Sequence, residues 1–271
     1  MDPLNDSAIL QNEPVIRFGL FAGIFSVMAF LEACFPRRDR QISRKLRWTS
    51  NLGLILVNFL VIRLAFPLSL LWLAGDAALS GVGLFNQLDL PFWPVVVLSV
   101  ILLDLAIYLQ HLAFHYVPFL WRLHRMHHAD LEIDVTTGLR FHPLEILLSL
   151  LLKAGLILLI GPPVLAVLMF EVILNGMAQF NHANFRLPLG IDRWLRLIVV
   201  TPDFHRVHHS VIQRETNSNF GFNLSIWDRL FRTYRPQPEA GHDDMEIGLE
   251  QFRTVSDLRL DRMLIQPFRR N

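Results

Sequence analysis

Eight of the eleven histidines in this chain fall into three clusters: His111 with His115, His124 with His127 and His128, and His205 with His208 and His209. Residues three and four apart share a helix face, so each cluster aims two or three imidazoles in one direction. At this histidine frequency an HxxHH pentad is expected by chance roughly 0.02 times per chain, and two are present. Neutral imidazole suits iron, zinc, copper and nickel alike. A structural zinc is closed off by four ligands, whereas eight clustered histidines can serve two ions and leave positions open. The pattern reads as a dinuclear metal site, with iron as the metal if the chemistry is oxidative.

The elements that must position these side chains are apolar. The chain is 52% hydrophobic with mean hydropathy +0.37 and only 18% charged residues, and its apolar runs are long enough for a bilayer core of ~30 Å. Five such segments lie at about 18–35, 52–74, 92–112, 144–160 and 164–180. The loop FPRRDRQISRKLRW carries six Lys or Arg against one Asp, whereas 75–91 holds Asp76 and Asp89 and no basic residue. Positive charge marks the cytosolic side, so the N-terminus lies outside and His111 and His115 stand at the inner end of the third span. Gly161-Pro162-Pro163 folds the fourth and fifth segments into a hairpin, whether or not it crosses fully, and the remaining clusters reach the same cytosolic face. The expected fold is all-α: a multi-pass membrane helical bundle of about four to five spans or half-spans, carrying a cytosolic, histidine-rich dimetal helical domain. Its units are N-terminal transmembrane helices at 1–110, a histidine unit at 111–235 that includes the hairpin at 144–180, and a cytosolic tail at 236–271 of short amphipathic helices. The start has no positive n-region or cleavage site, so the first span reads as retained.

Four charges sit within the spans, at a cost of ~2.5–3.5 kcal/mol each at mid-bilayer unless paired or hydrated. Lys153 is eight residues before Gly161 and Glu171 eight after Pro163, so an ion pair is expected. Arg63 and Asp104 lie at matched depth and would pair likewise. Asp104 also shares a helical stripe with Tyr108, His111 and His115, where it would hold an imidazole tautomer. The +1 net charge says nothing about nucleic acid, but the basic residues are not interleaved with aromatics as in single-strand binding, and no nucleic-acid partner is expected. The single Cys34 excludes an intrachain disulfide and a cysteine-ligated cluster. No histidine is followed by Glu, which disfavours an HExxH protease. A transporter would want histidines at mid-membrane depth, and a bis-histidine haem protein one per facing helix. A metal-binding scaffold or a transporter stays open as the alternative to an enzyme, to be separated by metal stoichiometry and O2 consumption.

Across about 100–235 the text DLAIYLQHLAFH, LWRLHRMHHAD, RFHPLE, QFNHANFRLP and TPDFHRVHHSVIQRETNSNFGFNLSIWDRLFRTY resembles the fatty acid hydroxylase superfamily, the histidine-box diiron oxygenases that include sterol desaturases, in its bacterial branch. The resemblance implies an O2-dependent reaction on a lipid C–H bond, hydroxylation or desaturation, with two Fe ions (zinc as a substitute on purification) and a separate electron-transfer protein. It carries the ligand role to His111, His115, His124, His127, His128, His205, His208 and His209, and to His182 as a ninth. His142 in RFHPLE is either a further ligand or a helix-capping residue beside Pro143. It also implies an integral protein of the bacterial plasma membrane, or of the ER in a eukaryote.

Such an all-imidazole shell needs acceptors for its remaining N–H groups. Asp130, Asp134, Glu145, Asp203 and Asp228 lie near the clusters, each with a cap or surface salt bridge as its alternative role; Asp203 in particular would cap the helix of the third cluster. Asn181, Asn184 and Asn219 would hold a water near the metals or make turns. Arg122, Arg125, Arg140, Arg206 and Arg214 suit a phosphate headgroup, an acidic electron carrier or membrane anchoring. His242, in the charged tail, reads as solvated.

Overall fold

Each apolar run becomes a helix, and proline and glycine set where the helices stop. The computed structural model describes residues 3–269. Its long helices are α1 (Pro3–Cys34), α2 (Arg44–Ala65), α3 (Leu70–Leu79), α4 (Phe92–Tyr116), α5 (Pro118–His128), α6 (Pro143–Ile160) and α7 (Val164–His182), followed by the short α8 (Leu189–Leu195) and α9 (Pro202–His208). Among the described residues only three isolated bridges and no strands occur. Five stretches are long and apolar enough to cross a membrane: Asp6–Cys34, Arg44–Gln87, Phe92–Tyr116, Pro143–Ile160 and Val164–His182. The molecule is an integral membrane protein. Its outer surface agrees, with Leu64 86% and Leu79 89% exposed, an arrangement stable against lipid and costly against water.

The segment expected as one span at 52–74 is broken. α2 ends at Ala65, Pro67 lacks the N–H a helix needs, and Ser69 restarts the chain by accepting the Trp72 N–H at 3.2 Å. The hairpin turns at Gly161, whose φ of +66° suits a residue without Cβ. Gly83 packs against it so closely that a Cβ there would sit 2.4 Å from the Gly161 Cα.

At this end of the bundle Leu70, Leu71 and Ala74 of α3 pack on Ala154 and Ile157 of α6 and on Val164, Val167 and Leu168 of α7. At the opposite end the basic loop and the histidine segments meet. Arg47, fully buried, donates to Asp130 through both Nε and Nη2 at 2.9 Å and also reaches Asp134. Burial alone would raise Asp130, but Arg47 and Arg140 outweigh it and hold the carboxyl below its ordinary value. Glu32 near the end of α1 accepts the Val135 and Asn184 N–H groups at 2.6 and 2.7 Å. The chain therefore delivers 36–43, 117–142 and the region after 182 to one end.

Lys153 and Glu171 pair at 2.6 Å, as the hairpin register requires, and Arg17 joins Glu171 at 3.0 Å and Glu13 at 2.9 Å. Ser69 donates to Glu13 at 2.7 Å. The expected Arg63–Asp104 pair does not form. Arg63 donates to the Pro67 carbonyl, within reach because the chain breaks there, while Asp104 accepts the Trp227 indole N–H at 2.8 Å. The tail is a clasp rather than a loose appendage: Met263 is buried with Leu54 and Met126, and Arg125 donates to the Gln266 and Arg269 carbonyls. His242 is buried against this expectation of solvation, 4.0 Å from Asp203, and burial pushes its pKa down to about 4.

Candidate metal centre

Nine histidines from four segments converge in two abutting groups, buried throughout. His111, His115, His124, His128 and His208 form one; His127, His182, His205 and His209 form the other. Within each group the nearest ring nitrogens lie within 4.8 Å of one another. The His128 and His209 rings stack across the junction at 4.6 Å.

Local sequence explains each placement. His111 and His115 are one turn apart at the end of α4. Val117 breaks the helix, Pro118 restarts it at a first-turn position where a missing N–H is harmless, and α5 folds back so that His124 and His128 face α4 while His127 faces α7. His182 ends α7. α9 begins with Thr201 accepting the Phe204 N–H at 3.4 Å and Pro202 in its first turn. The cap is thus Thr201, not Asp203, which pairs instead with Arg37 and Arg206.

Hydrogen bonds set the tautomers. Nδ1 of His111, His182 and His208 donates to the carbonyls of Phe220, Ala178 and Ser218 at 2.8, 2.7 and 2.7 Å. Nδ1 of His124 donates to Glu145 Oε1 at 2.7 Å, and that of His115 to Asn217 Oδ1 at 3.2 Å. In each ring Nε2 then carries a bare lone pair. Yet His111 Nε2 faces His124 Nε2 at 3.1 Å, two lone pairs that repel unless a cation lies between them. In the other group His182 Nε2 faces His127 and His205 Nε2 at 3.1 Å, and no Nδ1 partner fixes the tautomer of His127 or His205. At the ~2.0–2.1 Å metal–nitrogen distance usual for imidazole, ligands of one ion sit roughly 3 Å apart, as these nitrogens do. Buried Nε2 atoms of His115, His128 and His208 lack any protein partner. Burial holds His127, His128, His205 and His209 well below the ordinary histidine pKa and takes His208 to about 3, so all are neutral, the form that binds metal. The residues fit two metal ions.

Of the carboxylates expected to orient imidazoles, one does so: Glu145. Asp130 and Asp134 hold Arg47, Asp104 holds Trp227, and Asp228 accepts the Phe220 and Gly221 N–H groups at 2.7 Å, fixing the turn whose carbonyl bonds His111. Neutral acceptors, three of them backbone carbonyls, take the N–H groups of His111, His115, His182 and His208, while Nδ1 of His127, His128, His205 and His209 has no protein partner. Asn181 donates to the Phe222 carbonyl, Asn184 to that of Arg38, and Asn219 to those of Phe204 and Arg235, with Asn219 at φ +55°; these brace the chain around the groups. His142 joins neither group. It caps α6, its Nδ1 accepting the Leu144 N–H at 3.2 Å. Asn217 went unnoticed in the sequence, though it stands eight residues beyond His209 in a segment that had to fold back over the cluster.

His111, His124 and Glu145 also line a cavity of about 1210 Å³. Its walls are α1, α2, α6 and α7, with Phe21, Ile24, Ile55, Phe141, Leu150 and Phe222 among the apolar lining. α1 and α2 are bridged near the metal end by Phe25 and Trp48, ring centroids 5.4 Å apart. Farther along, the lining reaches the exposed Phe18 and Phe59, and the Arg17–Glu171–Lys153 network forms part of the wall.

The helical bundle thus carries a nine-histidine centre that shares a wall with an apolar cavity. Residues 96–233 match the fatty acid hydroxylase family, and the chain belongs to it. The chain is 32% identical over 158 residues to ornithine lipid hydroxylase OlsE of Rhizobium tropici, covering 57% of this chain and 47% of that protein. It is 33% identical over 161 residues to alkylglycerol monooxygenase of Danio rerio, 57% and 34% of the two chains. A cholesterol 25-hydroxylase-like protein of Danio rerio is 25% identical over 248 residues, 83% and 94%. The chain thus spans about half of the bacterial relative and a third of the monooxygenase. No solved structure matches.

Proposed function

We propose that the protein is an O2-dependent lipid hydroxylase whose two histidine groups hold two iron ions, with residues 111–235 as the catalytic unit and the metal end in the cytosol. The observation that carries the reading is the contact of His111 and His124 with the lipid-sized cavity: the candidate metal centre and a chain-shaped apolar space share a wall. The overall change balances as R–H + O2 + 2 electrons + 2 protons giving R–OH + H2O. When bound, iron would supply O2 activation; the protein supplies everything else. The nine imidazoles would hold the ions, and Glu145, Asn217 and the Phe220, Ala178 and Ser218 carbonyls fix the orientation of five of them. Phe141, stacked on His127 at 4.5 Å, and Phe222 keep water from the reacting carbon. The cavity walls hold the chain against His111 and His124, which supplies orientation at no further entropic cost. Relatives named for ornithine lipid, alkylglycerol and cholesterol-type hydroxylation support hydroxylation over desaturation and over a scaffold or transport role.

The test is metal content and O2 uptake of iron-reconstituted protein with a chemical reductant and total lipid extract. About two irons per chain and lipid-dependent uptake, both lost in a His127→Ala, His208→Ala double variant, are expected. Tight zinc binding with no uptake after reconstitution would leave a scaffold or transporter.

A further inference from the structure

The reaction above consumes two electrons from outside the chain, and the histidine groups are buried beneath protein on every side. We propose that an acidic one-electron carrier protein docks on a second, polar pocket of about 410 Å³ formed by Tyr116, Arg214, Arg232 and Arg235. The inference rests on the proposed function for its purpose but on independent residues for its geometry.

Position comes first. Asn217 and Ser218 line this pocket, and each accepts the Nδ1–H of a histidine in the five-membered group: Asn217 Oδ1 that of His115 at 3.2 Å, the Ser218 carbonyl that of His208 at 2.7 Å. One hydrogen bond therefore separates the pocket wall from two imidazoles. The lipid cavity meets the same group through His111 and His124, and the two cavities share no lining residue. Carrier and lipid would not compete.

Charge comes second. Arg214 pairs with Glu239, but its side chain stays 61% exposed. Arg232 has no side-chain partner among the described residues, and Arg235 Nε is buried and unpartnered. Glu239 offsets Arg214 in part, but the other nearby carboxylates leave Arg232 and Arg235 uncompensated: Glu215 is buried and accepts the Glu239 N–H, and Asp228 is buried on Phe220 and Gly221. The other arginines near the centre are committed inside the protein. Arg140 donates to the Met126 carbonyl, Arg206 pairs with Asp203, and Arg125 holds the tail. Three arginines beside the exposed Tyr116 make a surface of the composition that protein partners favour, and positive charge selects an acidic one and speeds its arrival.

The test uses the full chain in phosphatidylcholine nanodiscs and a reduced acidic [2Fe–2S] protein as probe. Binding is measured on metal-free and iron-loaded wild type and on an Arg214→Glu, Arg232→Glu variant, both positions being exposed. Wild-type binding should weaken steeply with salt, and the variant should bind about tenfold or more weakly. Carrier-driven, lipid-dependent O2 uptake should fall in parallel, while the hydroxylated lipid formed in a single turnover, with the iron reduced by dithionite and the excess removed before O2 is admitted, stays unchanged. Equal binding by variant and wild type, salt-independent binding, or displacement of the carrier by inorganic phosphate at equal ionic strength would each overturn the proposal. Failure of pre-reduced wild type to form hydroxylated lipid in that single turnover would count against the hydroxylase reading alone, since the metal-free binding arm decides docking separately.

Discussion

Replacing Glu145 by alanine should loosen the five-histidine group without unfolding the protein. The carboxylate accepts His124 Nδ1–H at 2.7 Å, with the side chains 5% and 3% exposed, so neither water nor salt screens the contact. A hydrogen bond to a charged group of this kind contributes about 1.5–3 kcal/mol, and losing the oxygen that orients a ligating imidazole costs about 10- to 100-fold in metal affinity. The Glu145 Oε2 atom has no other partner, so no competing bond softens the loss. Glu145→Gln keeps a neutral acceptor and should fall between wild type and alanine. The assay is competition between the metal-free protein and a chelator of known affinity for Co2+, which needs neither O2 nor substrate. Asp104→Asn is the control. Its carboxylate serves Trp227 and Leu224 and meets no imidazole, so metal affinity should stay at the wild-type value. Unchanged affinity in Glu145→Ala, or an equal loss in Asp104→Asn, would refute the reasoning.

Glu171→Leu leaves Lys153, half-buried, without a partner and Arg17, 35% exposed, with Glu13 alone, and should cost about 2–3 kcal/mol, below the cost for a fully buried pair. Lys153→Met, which leaves Glu171 with Arg17, should lower the unfolding temperature in detergent distinctly less; equal losses would contradict the network. In Gly138→Ala the new Cβ would lie 2.2 Å from the Ala178 carbonyl oxygen that orients His182. Such overpacking costs about 1–3 kcal/mol, and the variant should lose metal from the four-histidine group first, read by metal analysis after gel filtration. His242 is neutral in the fold, its pKa depressed from 6.5 to about 4 by burial. The unfolded chain therefore takes up a proton first as pH falls, so stability that is full above pH 6.5 declines toward pH 4. The loss is about 2 kcal/mol after allowing for partial solvent screening. Thermal unfolding of His242→Gln should show a flatter profile than wild type across that window.

Helix number was legible because span length obeys the bilayer, whatever the side chains do inside it. The Lys153–Glu171 pair was legible for the same reason: equal counts from one turn fix equal depth. Pro67 broke a span that hydropathy alone joined, since an average over residues does not register a missing N–H. Arg63 and Asp104 share depth too, yet Asp104 turns toward Trp227, more than a hundred residues away in sequence, and depth says nothing about azimuth. The clustering of eight histidines was visible as spacing. The identity of their hydrogen-bond partners was not: two of the four are backbone carbonyls, which carry no residue signature, and Glu145 and Asn217 reach the site only through the fold. His142 shows the limit from the other side: beside Pro143 at a helix start, one side chain serves a capping role that composition cannot separate from ligation.

Each histidine group draws on distant parts of the chain. The five-membered group spans His111 to His208, and the four-membered one spans His127 to His209. A nascent chain therefore has neither group complete until all five apolar stretches have been inserted and α9 has emerged. Metal delivery then becomes a late event in biogenesis, and the metal-free chain must wait with the bare nitrogens of His111 and His124 facing one another at 3.1 Å. A shortage of metal would accordingly yield an inserted but loosened protein, recognisable to proteases by its unlatched histidine end rather than by any fault in its spans.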